Sequence, residues 1–281
     1  MSRPSSVLCP SCGSLVGVKD AQCLNCGRRN PGLWGLASVL RDLGRDMGFT
    51  QIVLWGCGAL YLATLAADFE GVRMRGLLSM LSPSLPSLYL FGASGAFPVF
   101  EQHRWWTILS AGWLHAGVLH ILFNMMWVRD LAPVTAELYG AGRTVIIYTV
   151  SSASGFLASS LAFAFLPDFL RGGPFTVGAS AAIFGLLGAL LLYGRRGGSS
   201  HLSQRVKQLA IVLLLFGFIM PGVDNWAHLG GLGGGYLCAR WLDPREPERG
   251  DHVIIAVVCL VLTLGSIVYS VVSGLPALRG A

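Results

Sequence analysis

Long apolar stretches recur along most of this chain, and they constrain its fold more than any other feature. A helix needs roughly 17 to 25 apolar residues to cross the hydrocarbon core of a bilayer. In lipid, such a segment must be helical to satisfy its own backbone N–H and C=O groups. The composition agrees, since 53% of the 281 residues are hydrophobic and 12% are charged. We therefore predict an all-α membrane protein with spans at residues 51–68, 112–130, 143–166, 178–194, 206–221, 225–242 and 252–273.

The distribution of Lys and Arg predicts the orientation of these spans. Cytoplasmic loops carry the excess of basic residues near span ends. With the N-terminus in the cytoplasm, the other side keeps few of the 20 basic residues: Arg73, Arg75, Arg104, Arg171 and Arg279. This topology explains the net charge of +6, so the expected partner is the lipid bilayer and no nucleic acid is required. The compact loops and the basic cytoplasmic side favour a multi-pass protein of a bacterial inner membrane.

Four cysteines near the N-terminus form two C-x-x-C motifs, Cys9 with Cys12 and Cys23 with Cys26. Four thiolates at this spacing can close a tetrahedral shell around Zn²⁺. Two disulfides are the alternative, but a reducing cytoplasm disfavours them. We predict a structural zinc site that leaves no open position for catalysis and offers a docking module to a cytoplasmic partner.

The chain is predicted to have four parts. Residues 1–30 form a zinc-ribbon-like knuckle with four cysteines, 31–50 a linker, 51–242 the membrane core, and 243–281 a seventh transmembrane helix and tail. Residues 69–111 form the one long loop of the core, hereafter the first loop. This loop is too apolar for water and is interrupted by prolines, so we expect it to be partly submerged beside the helices.

Polar side chains inside membrane spans are costly and usually face the protein interior. In the second span, His120 and Asn124 are one helical turn apart and share a face, with His115 further round. Ser180 lies near the start of the fourth span, and His228 lies near the start of the sixth. The simple alternative for each residue alone is a hydrogen bond to a neighbouring helix.

Glycines predict which of these spans meet. Gly231 and Gly235 are four residues apart on the sixth span, and small residues at this interval let helix backbones approach closely. The fourth span is also rich in small residues and runs in the same direction. We therefore expect Ser180 and His228 to lie at similar depth and within hydrogen-bonding distance.

A serine beside a neutral imidazole is a nucleophile with its general base. In this arrangement His228 takes the Ser180 proton and later returns it to the leaving amine. The backbone N–H of Ser180 and the side chains of His120 and Asn124 can stabilise the oxyanion. Asp224 is placed either to orient His228 or to cap the sixth helix, and the cap is the favoured interpretation.

Four motifs follow one another between about Leu88 and Leu242. They are E-x-x-R-x-x-T (Glu101, Arg104, Thr107), H-x-x-x-x-H-x-x-x-N (His115, His120, Asn124), G-x-S-x-x-x-F-G (Gly178, Ser180, Phe184, Gly185) and A-H-x-x-G-x-x-x-G (Ala227, His228, Gly231, Gly235). Through these residues the chain resembles the rhomboid family of intramembrane serine proteases.

The resemblance implies a rhomboid-like six-helix bundle with a shortened fourth helix, followed by one extra C-terminal transmembrane helix. It implies a catalytic pair of Ser180 and His228, with His120 and Asn124 serving the oxyanion hole. It also implies that Phe184 packs against the His228 ring and that the first loop flanks substrate entry. The supporting residues that it implies are His115, Phe184, Gly178, Gly231, Gly235 and Arg104.

The chain departs from the family pattern at two positions. Ala181 stands where the family usually has Gly after the nucleophile, and its methyl group is expected to crowd the oxyanion site. His103 stands where a Trp usually precedes the Arg. A complete G-A-S-G occurs at residues 92–95, but we interpret Ser94 as a decoy because the F-G helix continuation does not follow it.

We therefore predict an intramembrane serine endopeptidase that cleaves single-span membrane proteins near the outer face of the membrane. The alternative is a rhomboid-like pseudoprotease that binds membrane clients, for which Ala181 is the sequence support. A transporter or channel is disfavoured, because the spans show neither intramembrane carboxylates nor an internal repeat.

Overall fold

A computed structural model describes residues 6–9, 12–31, 46–76, 79–197, 199–220, 222–246 and 248–279. The chain divides into two compact units, residues 1–48 and 49–281. Most of the predicted linker, at residues 32–45, lies outside the described residues. The domain boundaries given above stay predictions.

The first unit contains a short β-hairpin. Its strands, β1 (Ser6–Leu8) and β2 (Leu15–Gly17), are antiparallel, with Val7 opposite Val16. Both valines are buried and pack with the buried side chains of Cys9 and Cys23. A unit this small has little apolar core, so its stability is expected to depend on the cysteine site.

The second unit is built from helices. They are α1 (Phe49–Ala67), α2 (Leu85–Phe91), α3 (Thr107–Ser110), α4 (Val118–Tyr139), α5 (Ala141–Phe165), α6 (Ser180–Arg195), α7 (Ser200–Ile219), α8 (Asn225–Trp241) and α9 (Gly250–Arg279). The first loop also contains an antiparallel strand pair, β3 (Arg73–Arg75) and β4 (Ser79–Ser82), and a π-helix (Phe97–Glu101), and a 3₁₀ helix (Ala111–Trp113) begins at its end. A further 3₁₀ helix, Asp168–Leu170, lies between α5 and α6.

The long helices correspond to the predicted spans, and the predicted all-α membrane fold is confirmed. Among the described residues, α1, α5, α7 and Gly250–Leu275 of α9 are each long and apolar enough to cross a membrane. The other three, α4, α6 and α8, carry the polar site residues. Of these, α6 has 16 residues and is the shortened fourth helix that the resemblance implies.

The predicted second span, residues 112–130, is wrong in its bounds. Residues Thr107–Trp113 and helix α4 meet at 93°, and α4 begins at Val118 and continues to Tyr139. His115 therefore lies in the bend before the helix. The composition could not reveal this bend, because the residues on both sides of the change in direction are mostly apolar.

Helix α8 carries a row of small buried residues, Ala227, Gly231, Gly235 and Ala239, and it packs against α6 at the two glycines. A Cβ at Gly231 would lie 2.8 Å from the carbonyl carbon of Ala181, and one at Gly235 would lie 2.5 Å from Cα of Gly185. The two backbones are thus in direct contact. In a membrane, such packing replaces the hydrophobic effect as the force that joins helices.

Candidate active site

Ser180 and His228 are brought together by the contact between α6 and α8. Ser180 is the first residue of α6, and His228 lies in the first turn of α8. Nε2 of His228 lies 2.9 Å from Oγ of Ser180, within a hydrogen bond. This is the distance expected for a nucleophile and its general base.

Phe184 orients the imidazole of His228. It follows Ser180 by one helical turn, and its ring stacks on the imidazole with a centroid distance of 4.3 Å and an interplanar angle of 17°. Within the described part of the chain, Nδ1 of His228 has no hydrogen-bond partner. The ring is thus held by stacking and by the serine, without a carboxylate.

Asp224 caps the helix that carries His228. Its Oδ1 accepts a hydrogen bond of 3.0 Å from the backbone N–H of Ala227. Its Oδ2 accepts from the hydroxyl of Ser159 on α5, and Ser159 Oγ in turn accepts 3.0 Å from the N–H of Gly173. Asp224 therefore joins the start of α8 to the segment before Ser180. The motifs did not indicate Ser159, which resembles any small residue of an apolar helix.

His120 lies against Gly178, just before the nucleophile. Gly178 has φ +128°, and a Cβ there would lie 2.6 Å from Nε2 of His120. The N–H of Ala116 approaches Nδ1 of His120 at 3.3 Å, so in the neutral ring the proton is assigned to Nε2. That N–H is a donor next to the residue that begins α6. Asn124 is buried and donates 2.8 Å to the carbonyl of His120.

His115 supports the same region from the bend before α4. Its side chain is fully buried, and its ring meets that of His120 edge-on at a centroid distance of 5.2 Å. The N–H of Gly178 donates 3.0 Å to the carbonyl of Ala111 in the adjoining 3₁₀ helix. The bend thus places His115 behind His120.

Ser94, in the G-A-S-G sequence at residues 92–95, has a structural position. It is fully buried in the first loop and forms a two-way backbone pair with Thr176, with N–H···O distances of 3.2 and 2.8 Å. Its hydroxyl oxygen lies 3.3 Å from Oγ1 of Thr107. The first loop is thereby joined to the segment that leads to Ser180.

The methyl group of Ala181 lies between helices. A Cβ added at Gly155 of α5 would lie 2.6 Å from the Cβ of Ala181. Ala181 is itself 1% exposed. The glycine on α5 therefore accommodates the methyl group. The expected effect of this methyl group on the oxyanion site stays a prediction. The motifs could not indicate Gly155, because it lies on a different helix.

Arg104 is buried in the first loop. Its Nη1 donates 3.0 Å to the carbonyl of Tyr89, and its guanidinium carbon lies 4.0 Å from the centroid of the Tyr89 ring. Its own carbonyl accepts 2.7 Å from Oγ1 of Thr107. Arg104 is thus part of the loop's internal structure.

The four N-terminal thiols form a second candidate site. Their Sγ atoms all lie within 4.8 Å of one another, with Cys9–Cys26 and Cys12–Cys23 each at 3.6 Å. At 3.6 Å these sulfurs are too far apart for the S–S bond of a disulfide, which is about 2.05 Å. A tetrahedral ion with Zn–S bonds of about 2.3 Å needs sulfurs about 3.8 Å apart, so the residues fit the metal. Gly13 (φ +71°) and Gly27 (φ +73°) form the turns.

The thiols influence one another's ionisation. Hydrogen bonds from the Ser14 side chain and backbone lower the pKa of Cys12 to about 6. The N–H of Arg28 acts to lower the pKa of Cys26, but the neighbouring thiols and burial raise it to about 12. One thiol is thus prepared as a thiolate ligand, and another loses its proton only when a cation compensates.

Comparison with known proteins is consistent with these features. A rhomboid-domain family model matches residues 102–245. Rhomboid protease GluP of Bacillus subtilis (strain 168) is 33% identical over 192 residues, which are 67% of this chain and 36% of that protein. RHOMBOID-like protein 7 of Arabidopsis thaliana is 38% identical over 186 residues, 64% of this chain and 55% of that protein.

Inactive RHOMBOID-like protein 8 of Arabidopsis thaliana is also similar, at 32% identity over 158 residues, 54% of this chain and 42% of that protein. In all three comparisons the chain matches between 36% and 55% of the relative's length. The matched regions are thus parts of longer proteins.

Proposed function

Because the chain belongs to the rhomboid family, we propose that it is an intramembrane serine endopeptidase that cuts transmembrane segments of single-span proteins near the outer face. The observation that carries this proposal is the 2.9 Å contact between Ser180 Oγ and His228 Nε2. The name of the similar protease GluP supports the same chemistry. The dyad needs no cofactor for its proton transfers.

In the proposed reaction, Ser180 Oγ attacks the scissile carbonyl while His228 Nε2 takes the hydroxyl proton. The carbonyl π electrons move to oxygen, and the N–H of Ser180 with the side chains of His120 and Asn124 stabilises this oxyanion. Collapse breaks the C–N bond, and His228 returns its proton to the leaving amine. Water, activated by His228, then hydrolyses the acyl ester and restores Ser180.

The expected substrates are transmembrane helices that unwind readily. Hydrolysis requires an extended peptide at the scissile bond, so local unwinding is part of the barrier. Gly and Pro lower the cost of leaving the helical conformation. We infer that the preferred segments contain such residues close to the membrane boundary.

The test uses the purified full chain in liposomes with a fluorescent transmembrane reporter and a fluorophosphonate probe. The wild type is expected to cut the reporter and to be labelled, whereas Ser180→Ala loses both. Ser94→Ala serves as the control for the G-A-S-G sequence at residues 92–95 and is expected to keep its labelling. Cleavage by Ser180→Ala at the wild-type rate would overturn the proposal.

The pseudoprotease alternative rests on Ala181 and on the inactive relative in Arabidopsis. The methyl group of Ala181 packs toward Gly155, which argues against a steric cause of inactivity. A wild type that binds a membrane client without cutting it or reacting with the probe would favour this alternative.

We propose that Cys9, Cys12, Cys23 and Cys26 hold a structural Zn²⁺. The fit of their Sγ spacing to a tetrahedral shell supports this. We further propose a multi-pass membrane protein with a cytoplasmic N-terminus, where the knuckle meets a cytoplasmic partner. The basic residues assigned to the cytoplasmic side support that topology. Location in a bacterial inner membrane stays a prediction.

A further inference from the structure

The C-terminal helix α9 contacts the first loop at Ser270. Ser270 is fully buried, whereas Tyr269 beside it is 54% exposed. The indole N–H of Trp106 donates 2.9 Å to Oγ of Ser270. The Trp106 ring also meets Tyr269 edge-on at a centroid distance of 4.5 Å. Trp106 of the first loop is therefore held by two consecutive residues of α9, Tyr269 and Ser270.

Arg104 makes a second link to the same helix position. Its Nη2 donates 3.3 Å to the backbone carbonyl of Ser270, while Nη1 donates to Tyr89. A buried guanidinium is stable only when its N–H groups have acceptors. The carbonyl of Ser270 is therefore one of the groups that keep Arg104 in place.

Glycines allow the loop and the helix to approach this closely. Gly92 has φ +102°, and a Cβ there would lie 2.7 Å from Oγ of Ser270. One helical turn later, a Cβ at Gly274 would lie 3.0 Å from Cδ1 of Leu90. Contact at two successive turns makes this a packed interface.

The same loop is joined to the segment that precedes the nucleophile. The hydroxyl oxygen of Thr107, next to Trp106, lies 3.3 Å from that of Ser94, and Ser94 pairs with Thr176 through the backbone. Thr176 is two residues before Gly178. Continuous contacts therefore lead from α9 to the residue against which His120 lies.

From this continuity we propose that Ser270 is a positioning residue, through which the C-terminal helix holds the first loop and the oxyanion side of the site. The inference rests on the proposed function. It assigns α9 a part in the reaction, although none of its residues touches the reacting atoms.

The test compares Ser270→Ala, Trp106→Phe and the double variant with Ser273→Ala as the matched control. Ser273 is exposed on the same helix, and its hydroxyl bonds within α9, donating 2.7 Å to the carbonyl of Tyr269 with a weaker approach of 3.3 Å to that of Ser270. Loss of one net hydrogen bond is worth about 1 kcal/mol, or roughly fivefold in rate. We expect each single variant to lower kcat by about that factor with KM nearly unchanged. Because both single variants remove the same hydrogen bond, between Trp106 and Ser270, the double variant is expected to lose no more kcat than either of them.

Hydrogen–deuterium exchange over residues 85–113 provides a readout independent of proteolysis. Ser270→Ala is expected to accelerate exchange there, and Ser273→Ala to leave it unchanged. A wild type without protease activity contradicts the proposed function, but exchange still tests the contact. If the wild type is active, equal kcat for Ser270→Ala and Ser273→Ala, additive losses in the double variant, or a change in KM alone overturns the positioning role.

Discussion

Phe184 stacks on the imidazole of His228, with 4.3 Å between ring centroids, while Ser180 contacts the same imidazole through Nε2. One turn of α6 thus supplies both the proposed nucleophile and the ring that stacks on its proposed base. Since Nδ1 of His228 has no hydrogen-bond partner among the described residues, we expect the stacking to take the place of the orienting carboxylate of a Ser-His-Asp triad.

Phe184→Ala is expected to lower kcat by roughly three- to tenfold, the worth of a stacked aromatic pair at about 0.5 to 1.5 kcal/mol. Phe184→Tyr keeps the ring and serves as the control. Reporter cleavage at saturating substrate measures the effect. Wild-type kcat in Phe184→Ala would show that stacking does not orient His228.

Gly178→Ala is expected to lower kcat about a hundredfold, because a displacement of about 1 Å at a catalytic group has that effect. The new methyl would lie 2.6 Å from Nε2 of His120. Gly197→Ala is the matched control, since Gly197 also has a positive φ, +100°, but has nothing within 4 Å of its added Cβ. Equal losses in both variants would attribute the effect to backbone strain alone.

Gly155→Ala is expected to destabilise the protein, because its methyl would lie 2.6 Å from the Cβ of Ala181 and 2.5 Å from the carbonyl oxygen of Ala227. Adding Ala181→Gly removes the contact with the Cβ of residue 181. The double variant should therefore recover part of the loss in thermal midpoint, measured in detergent. Ala181→Gly alone is expected to keep wild-type kcat. A rise of kcat above about tenfold in that variant would instead show that Ala181 restrains the site.

Asp224→Ala is expected to lower the free energy of unfolding by about 0.5 to 2 kcal/mol, because the helix cap is lost. We also expect a lower kcat, because Ser159 loses its hydrogen-bond acceptor. Thermal unfolding and reporter cleavage measure the two effects. Asp168→Ala is the control, because Asp168 forms an exposed 3.0 Å ion pair with Arg171, and such pairs contribute about 0 to 1 kcal/mol. Identical behaviour of the two variants would contradict the role given to Asp224.

The purified chain is expected to bind one Zn²⁺, detected by elemental analysis and by the visible spectrum of a Co²⁺-substituted sample. Cys23→Ser should abolish binding, while Cys57→Ser, on α1, should not. Burial and neighbouring thiols raise the pKa of Cys26 to about 12, so zinc must displace its proton near neutral pH. Affinity should therefore fall as pH is lowered from about 8 to about 6. Unchanged metal content in Cys23→Ser contradicts the site.

The sequence predicted the helical membrane fold because apolar length and the spacing of polar residues are local properties. The apolar helices, the close spacing of the four N-terminal cysteines and the meeting of Ser180 with His228 could all be inferred from it. The bend before α4 could not, since the residues around His115 have the same apolar character as the helix that follows. The reactive roles of these residues remain for the experiments above.

By itself, then, the sequence determined which segments enter the membrane and which side chains are chemically able to form a serine–histidine site. Only the tertiary structure decided that Gly155 receives the methyl group of Ala181, that Ser159 holds Asp224, and that Ser270 supports the first loop. The physical reason is that these partners lie on different helices. Their contacts arise from how small residues let backbones approach, a property of the packed bundle that no single segment carries.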